Sequence, residues 1–282
     1  MKTSQTPEEL KEVVKEKYAQ VADQSKDENE ASCCGATCGC STVDFAVMAE
    51  DYTTMKGYVP DADLGLGCGL PTEFAKIKEG DTVVDLGSGA GNDCFVARSL
   101  TGETGKIIGV DFTEKMITKA RLNADKLGFK NITFRQGDIE SLPLADNLAD
   151  VVVSNCVLNL VPDKKQAFAE TFRVLKKGGH FSVSDIVLAG NLPDGLEKSA
   201  AMYAGCISGA IQKNEYLSII EETGFTNVKV QKEKKINLPQ EILKEYLSDD
   251  EITKFNTGES GIFSITVYAE KPLACCAPGC CN

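Results

Sequence analysis

Positive charge and long apolar runs are scarce in this chain. Its 282 residues hold 30 Lys and Arg against 42 Asp and Glu, a net charge of −12. Nucleic-acid binding needs clustered Lys and Arg, so this balance argues against a nucleic-acid partner. No stretch approaches the ~18 apolar residues that span a bilayer, and residues 1–10 lack the apolar run of a signal peptide. We therefore expect a soluble, cytoplasmic protein with no membrane partner.

Cysteine, in contrast, is abundant, with 12 residues in a distinctive distribution. A long chain with adjacent cysteine pairs and no signal peptide is not typical of a secreted disulfide scaffold, so we expect thiolate ligands or redox groups. The C-terminal group lacks the C-x-x-C spacing that favours zinc, and its role stays open. The cysteines are Cys33, Cys34, Cys38 and Cys40 near the start, Cys68, Cys94, Cys156 and Cys206 in the body, and Cys275, Cys276, Cys280 and Cys281 near the end.

Strand-like and helix-like segments alternate from residue 81 onward. Helical spacing of apolar residues is typical of segments 7–22, 163–176, 196–204 and 214–222, and the glycines at 178 and 179 are expected to end the second of these. This alternation predicts an α/β fold, a mostly parallel, doubly wound, Rossmann-like sheet. A charged stretch at 231–250 suggests a small appended subdomain. Strands are predicted at 82–86, 106–111, 132–135, 150–154, 179–185, about 225–230, and 261–269.

Acidic residues stand at the ends of successive predicted strands. Asp85 precedes a glycine-rich turn that opens a helix, where a ligand can lie against bare backbone. Asp111 can accept hydrogen bonds from ribose hydroxyls. Asp138 can accept one from an adenine amino group, and Ile139 can pack on the ring. The sequence therefore predicts a nucleoside site, whose other contacts are Gly87, Ser88, Gly89, Asn92, Phe112 and Asn155.

The turn at 85–91 places its acid directly before alternating glycines, unlike the G-x-G-x-x-G of dinucleotide enzymes. It resembles the first motif of the class I S-adenosylmethionine-dependent methyltransferases. Segment 173–179 also resembles that superfamily, with Lys177 where proline is common. The resemblance implies S-adenosylmethionine as methyl donor and a class I methyltransferase fold with a small C-terminal α+β region.

Four segments, 64–71, 85–93, 154–160 and 205–210, carry a narrower resemblance. They are similar to the arsenite methyltransferase family over residues 44–270. The resemblance implies that Cys68, Cys156 and Cys206 are family cysteines, with Cys156 and Cys206 the primary ligands of trivalent arsenic. A fourth family cysteine lies in the N-terminal group. Cys40 is our choice, and Cys34 or Cys38 are the alternatives.

The chemistry of arsenic asks for these residue types. Trivalent arsenic is soft, so thiolates are its natural ligands. Its lone pair attacks the sulfonium methyl group directly, so neither a general base nor a tightly bound metal is required. This suits a chain with one His, and it disfavours triad hydrolases. We further expect Cys40 and Cys68 to form a reducing pair that a dithiol reductant such as thioredoxin or glutathione restores.

The expected organisation has four parts. Residues 1–43 form a helix and cysteine-rich segment, 44–190 the S-adenosylmethionine-binding domain with arsenic-site loops, 191–270 arsenic-site helices with the appended region, and 271–282 a cysteine-rich tail. Three alternatives remain. They are a methyltransferase of a small organic acceptor, a thiol-rich metal-binding protein and a nicotinamide oxidoreductase. The number of methyl groups added, the reductant, the arsenic complex delivered and the oligomeric state stay open.

Overall fold

The computed structural model describes residues 6–31, 50–191, 209–238, 240, 243–244, 247–257 and 260–273. Several sequence predictions fall outside these ranges. They include the predicted helix at 196–204, both terminal cysteine groups, and therefore Cys40, as well as Cys206.

A seven-stranded sheet organises the described chain, in the order β3-β2-β1-β4-β5-β7-β6. Strands β1 to β5 run parallel, whereas β7 pairs antiparallel with both β5 and β6. The predicted α/β class and the mostly parallel sheet are confirmed. The strands are β1 (Thr82–Leu86), β2 (Lys106–Asp111), β3 (Ile132–Gln136), β4 (Ala149–Asn155), β5 (Leu175–Ala189), β6 (Thr226–Lys235) and β7 (Gly261–Glu270).

Helices cover both faces of this sheet. The helix predicted at 7–22 is confirmed, and Thr6 and Glu9 cap its start reciprocally through side chain and backbone. Short 3-10 turns lie at Pro60–Ala62 and Leu158–Leu160. The helices are α1 (Pro7–Ala22), α2 (Lys26–Ala31), α3 (Pro71–Phe74), α4 (Asn92–Thr101), α5 (Glu114–Lys126), α6 (Lys164–Val174), α7 (Lys213–Glu222) and α8 (Asp249–Thr257).

Alternate residues of β1 point to opposite faces of the sheet and join different cores. Val84 packs in a core with Phe168 of α6. Its neighbour Val83 packs on the other face with Phe95 of α4. A parallel sheet buried on both faces needs apolar residues on both, which is why Val83 and Val84 follow each other in β1.

The prediction that glycines 178 and 179 end a helix is wrong. Helix α6 ends at Val174, and Leu175 is already extended, with φ −68° and ψ 138°. Leu175 is fully buried and pairs with Ala149, whereas His180 pairs with Val151, so the ladder bulges between them. Gly178 has φ 78° within this bulge, a conformation that glycine adopts without strain.

The appended subdomain predicted at 231–250 also needs correction. Residues 231–235 belong to β6, the last strand of the common sheet. The alternating Lys and Glu residues there suit an edge strand, because charged side chains discourage further strand pairing. No helix among the described residues has the length and apolar character needed to cross a membrane. The four-part division of the chain stays a prediction.

Candidate active site

A cavity opens at the carboxyl ends of β1, β2 and β4, where the strand order reverses. It holds about 1110 Å³ of empty space, part of it open to solvent. Cys156 also lines it. The ten residues predicted to contact the nucleoside all line this cavity: Asp85, Gly87, Ser88, Gly89, Asn92, Asp111, Phe112, Asp138, Ile139 and Asn155.

The glycine-rich turn forms the floor of the cavity between β1 and α4. Gly87, Gly89 and Gly91 all have positive φ, at 69°, 49° and 99°. A Cβ on Gly87 would also lie 2.7 Å from Cγ1 of Val157, closer than real side chains pack. The turn therefore requires glycine and leaves backbone exposed at the start of α4, where the helix dipole favours negative charge.

The side chain of Asp111 is held rigidly at the end of β2. Its Oδ2 accepts from the Gly89 backbone N–H at 3.0 Å, and its Oδ1 accepts from the Thr113 N–H at 2.8 Å. Burial raises the pKa of this carboxyl, and the two hydrogen bonds act in the opposite direction. A carboxylate has about four lone-pair positions, so acceptor capacity remains for a ligand.

Asp85 lies beneath the turn and accepts a hydrogen bond from another side chain of the protein. The Cys94 thiol donates to its Oδ2 at 3.2 Å. Burial raises the pKa of Asp85 well above its usual range, and the nearby charge of Asp93 adds to the effect. Burial likewise raises the pKa of Cys94, which keeps this cysteine a neutral thiol and a structural group.

Asp138 forms a contact that the sequence did not predict. Lys11 of α1 donates to its Oδ2 at 2.6 Å and also pairs with Glu140. The Asp138 side chain is 40% exposed, and Lys11 and Tyr18 of α1 both line the cavity. Helix α1 therefore forms one wall of the predicted adenine site, a placement that no local pattern indicates.

A buried polar network that the sequence analysis missed joins the cavity to the Cys68 loop. The Tyr52 hydroxyl donates to Asp93 at 2.9 Å and receives a hydrogen bond from Asn155 at 2.6 Å. Asn155 in turn accepts from the Cys68 backbone N–H at 3.0 Å. Burial raises the pKa of Asp93 to about 6, although these hydrogen bonds lower it. Asn155, which is predicted to contact the methyl donor, therefore also holds the loop that carries Cys68.

Two of the predicted arsenic cysteines meet beside this network. The Sγ atoms of Cys68 and Cys156 and a carboxylate oxygen of Asp185 all lie within 4.8 Å of one another, and all three residues are buried. Cys156 has φ 61°, a strained conformation for a residue with a side chain. Its backbone N–H donates to the Ser184 carbonyl at 2.7 Å, which fixes it against β5.

Asp185 was not among the predicted site residues. The Tyr216 hydroxyl donates to its Oδ2 at 3.2 Å and the Ile186 N–H to its Oδ1 at 3.0 Å. A backbone N–H of Asn159 also donates to this carboxyl, and burial raises its pKa to about 7. A signal was present, because Asp185 is the last residue of the strand predicted at 179–185, as Asp111 is of the strand predicted at 106–111. The other two predicted cysteines, Cys40 and Cys206, lie outside the described residues.

Comparisons with known proteins also indicate a methyltransferase. Residues 77–224 match the family described as Methyltransferase domain. An arsenite methyltransferase of Halobacterium salinarum is 37% identical over 284 residues, covering 96% of this chain and 69% of that protein. The chain belongs to the arsenite methyltransferase family. This membership confirms the resemblance drawn from the four sequence segments.

Other members of the arsenite methyltransferase family are also similar to this chain. The arsenite methyltransferase of Aquipseudomonas alcaligenes is 34% identical, covering 85% of this chain and 69% of that protein. The crystal structure of an arsenic(III) S-adenosylmethionine methyltransferase from Chlamydomonas reinhardtii superposes with a TM-score of 0.63 at 34% identity. It covers 80% of this chain and 74% of that one. The fold and the family assignment therefore agree.

Proposed function

We propose that this protein is an S-adenosylmethionine-dependent arsenite methyltransferase. It transfers methyl groups to thiolate-bound trivalent arsenic, giving methylarsenicals and S-adenosylhomocysteine in a detoxification reaction. One observation carries the proposal: Cys156 lines the predicted donor cavity and also lies in the buried group with Cys68 and Asp185. The predicted methyl-donor site and the predicted arsenic site thus share one residue.

The cavity suits S-adenosylmethionine as donor. Ser88 and Asn92 line it, and each has a buried side-chain oxygen atom with no hydrogen-bond partner within the described part of the chain. Buried polar atoms are costly unless paired, so they favour a polar ligand. In our proposal the glycine turn holds the amino-acid portion, Asp111 the ribose, and Asp138 with Ile139 the adenine. The donor supplies an electrophilic methyl group on a positively charged sulfur.

The residues of the arsenic site prepare the nucleophile. Arsenite binds by exchanging hydroxyl groups for cysteine thiolates, releasing one water for each thiol consumed. We assign Cys68, Cys156 and Cys206 as the three ligands. The arsenic lone pair forms the new bond to carbon while the carbon–sulfur bond of the donor breaks, so no proton is removed. The protein contributes proximity, alignment and exclusion of water.

Reduction completes the cycle. Attack by the lone pair formally raises arsenic to the pentavalent state, and two electrons must return it to the trivalent state. We assign Cys40 and Cys68 to this step: the Cys40 thiolate attacks the arsenic-bound sulfur of Cys68, the disulfide forms, and the As–S bond of Cys68 breaks with its electron pair left on arsenic. A dithiol reductant such as thioredoxin, or glutathione, then reduces that disulfide. Because the chemistry requires reduced thiols, a cytoplasmic location suits it.

The test uses the reduced full-length protein with methyl-labelled S-adenosylmethionine, arsenite and a dithiol. Labelled arsenicals are separated and counted for the wild type, Cys68→Ser, Cys156→Ser and Cys206→Ser. We expect label in arsenic species for the wild type and loss of it in all three variants. Cys94→Ala is the matched control for arsenite binding, which should not change, because Cys94 contacts Asp85 rather than the arsenic group.

Two results would contradict the proposal. Donor binding without any label on arsenic would favour a small organic acceptor. Methylated arsenic in Cys156→Ser at the wild-type rate would show that the acceptor is not held by this thiolate.

A further inference from the structure

Within the described residues, Asp185 is the one carboxylate that shares the buried group of the two arsenic cysteines. One of its oxygens lies within 4.8 Å of both the Cys68 and the Cys156 Sγ atoms. Its side chain is 0% exposed, and it belongs to β5, so it is fixed by the sheet rather than by a loop. None of the steps proposed above uses it.

The surroundings of Asp185 orient this carboxylate but do not saturate it. The donors are the Tyr216 hydroxyl, the Ile186 N–H and the Asn159 N–H. Three donors against about four lone-pair positions leave one acceptor position. Among the described residues, Lys164 of α6 supplies positive charge near Asp185, and the two cysteine thiols lie near Tyr216. A donor arriving between the cysteines can therefore reach a preoriented acceptor.

Arsenite brings such a donor. Once two thiols have reacted, arsenic retains one hydroxyl group, because each Cys–S–As bond releases one water. We propose that Asp185 binds this hydroxyl group of the two-thiolate arsenic complex, accepting its hydrogen bond while Cys68 and Cys156 hold the arsenic. Asp185 is thus a substrate-binding residue of the loading step. The inference rests on the proposed function.

The contact exists only until a third thiol reacts. That thiol forms the last As–S bond, and its proton leaves with the hydroxyl group as water. Asp185 accepts a hydrogen bond throughout and neither gains nor loses a proton. In the three-thiolate complex no hydroxyl group remains, so Asp185 then has nothing to bind on arsenic. This makes the effect of Asp185 dependent on the third thiol, which a purely structural role would not produce.

The experiment is a double-mutant cycle on arsenite affinity. The full-length reduced protein at pH 8 is dialysed against arsenite, and bound arsenic is measured by elemental mass spectrometry. Asp185→Asn is introduced into the wild type and into Cys206→Ser. We expect it to weaken binding about tenfold in Cys206→Ser, where the hydroxyl group persists, and by less than about twofold in the wild type. X-ray absorption should show two sulfur neighbours and one oxygen neighbour on arsenic in Cys206→Ser.

Two further variants separate the role of the Asp185 carboxylate from the general effect of a buried substitution. Tyr216→Phe removes one orienting donor but keeps the carboxylate, so it should weaken binding by about threefold, again only in Cys206→Ser. Ser182→Ala is a buried change on the same strand, three residues before Asp185, and should alter neither background. Retained S-adenosylmethionine binding in each variant reports correct folding.

An equal loss in both backgrounds, or no loss in Cys206→Ser, would overturn the role of Asp185 and leave the arsenite site intact. Failure of the proposed function looks different. Arsenite binding that is unchanged in both Cys68→Ser and Cys156→Ser would contradict the thiolate site itself, and with it this inference.

Discussion

Cys156 serves both halves of the candidate site. It lines the donor cavity and lies beside Cys68, yet only its sulfur is proposed to bind arsenic. Cys156→Ser keeps the size of the side chain and replaces a soft ligand by a hard one. We expect arsenite affinity to fall on the order of 100-fold while S-adenosylmethionine affinity changes less than about threefold. Equilibrium dialysis with each ligand measures both, and a parallel loss of donor affinity would contradict the assignment.

Asp111 should affect the binding of S-adenosylmethionine but not that of arsenite. Asp111→Asn removes the charge that two backbone N–H groups orient toward the ribose position, and its amide group cannot accept the same hydrogen bonds. We expect the dissociation constant for S-adenosylmethionine to rise about tenfold, with arsenite affinity unchanged. The exposed Asp125→Asn on α5 is the matched control, and a similar loss there would point to general electrostatics instead.

Asp93 makes stability depend on pH. Burial raises its pKa from 3.8 to about 6, so the folded chain binds more protons than the unfolded chain between these values. Its contribution to the free energy of unfolding therefore decreases as pH rises through this window and is lowest above it. The stability of the wild type relative to Asp93→Asn should fall by about 1 kcal/mol between pH 5 and pH 7.5. Urea denaturation at both pH values measures this, and an unchanged difference would show that Asp93 ionises normally.

Residue types near strand ends could be predicted from sequence, whereas buried partners from distant segments could not. The rule that an acid near the end of an apolar strand lies at the ligand edge placed Asp85, Asp111 and Asp138. Asp185 ends the strand predicted at 179–185, although β5 continues to Ala189. Tyr52 and Lys11 gave no comparable signal. They reach the cavity through tertiary contacts across 41 and 127 residues of sequence, to Asp93 and Asp138.

Among the structural elements, the loop that carries Cys68 depends on close approach to β5. A Cβ on Gly69 would lie 2.6 Å from the Ser184 Cβ, and the loop is further tied by a hydrogen bond from Ser264 to the Cys68 carbonyl. Gly69→Ala should push the loop from the strand and weaken arsenite binding about tenfold or more. Ser184→Gly added to Gly69→Ala removes the obstructing side chain and should restore part of the affinity.

Gly128 offers a comparison for this substitution. It lies in a loop after α5 with φ 68°, and no atom is within 4 Å of a Cβ placed there. Gly128→Ala should cost some stability through its backbone conformation but leave arsenite affinity unchanged. Arsenite dialysis on all variants checks the set. Weakening by Gly128→Ala equal to that by Gly69→Ala would show that the affinity follows overall stability rather than loop placement.

Over the whole molecule, the alternation of strands and helices predicted the α/β class and the parallel part of the sheet, β1 to β5. It could not predict that β7 inserts antiparallel between β5 and β6, because strand order depends on long-range pairing rather than local pattern. The helix end predicted from the glycines at 178 and 179 was wrong for a similar reason. Both a helix end and a bulged strand accept glycine there, and the burial of Leu175 against β4 decides between them.

In the proposed function, one cavity brings a methyl donor to thiolate-held arsenic. The most direct measurement is single-turnover methyl transfer from labelled S-adenosylmethionine to arsenite already bound on the reduced protein. We predict label on arsenic in the wild type and none in Cys156→Ser, although that variant still binds the donor. Label on arsenic at an equal rate in Cys156→Ser would contradict the account.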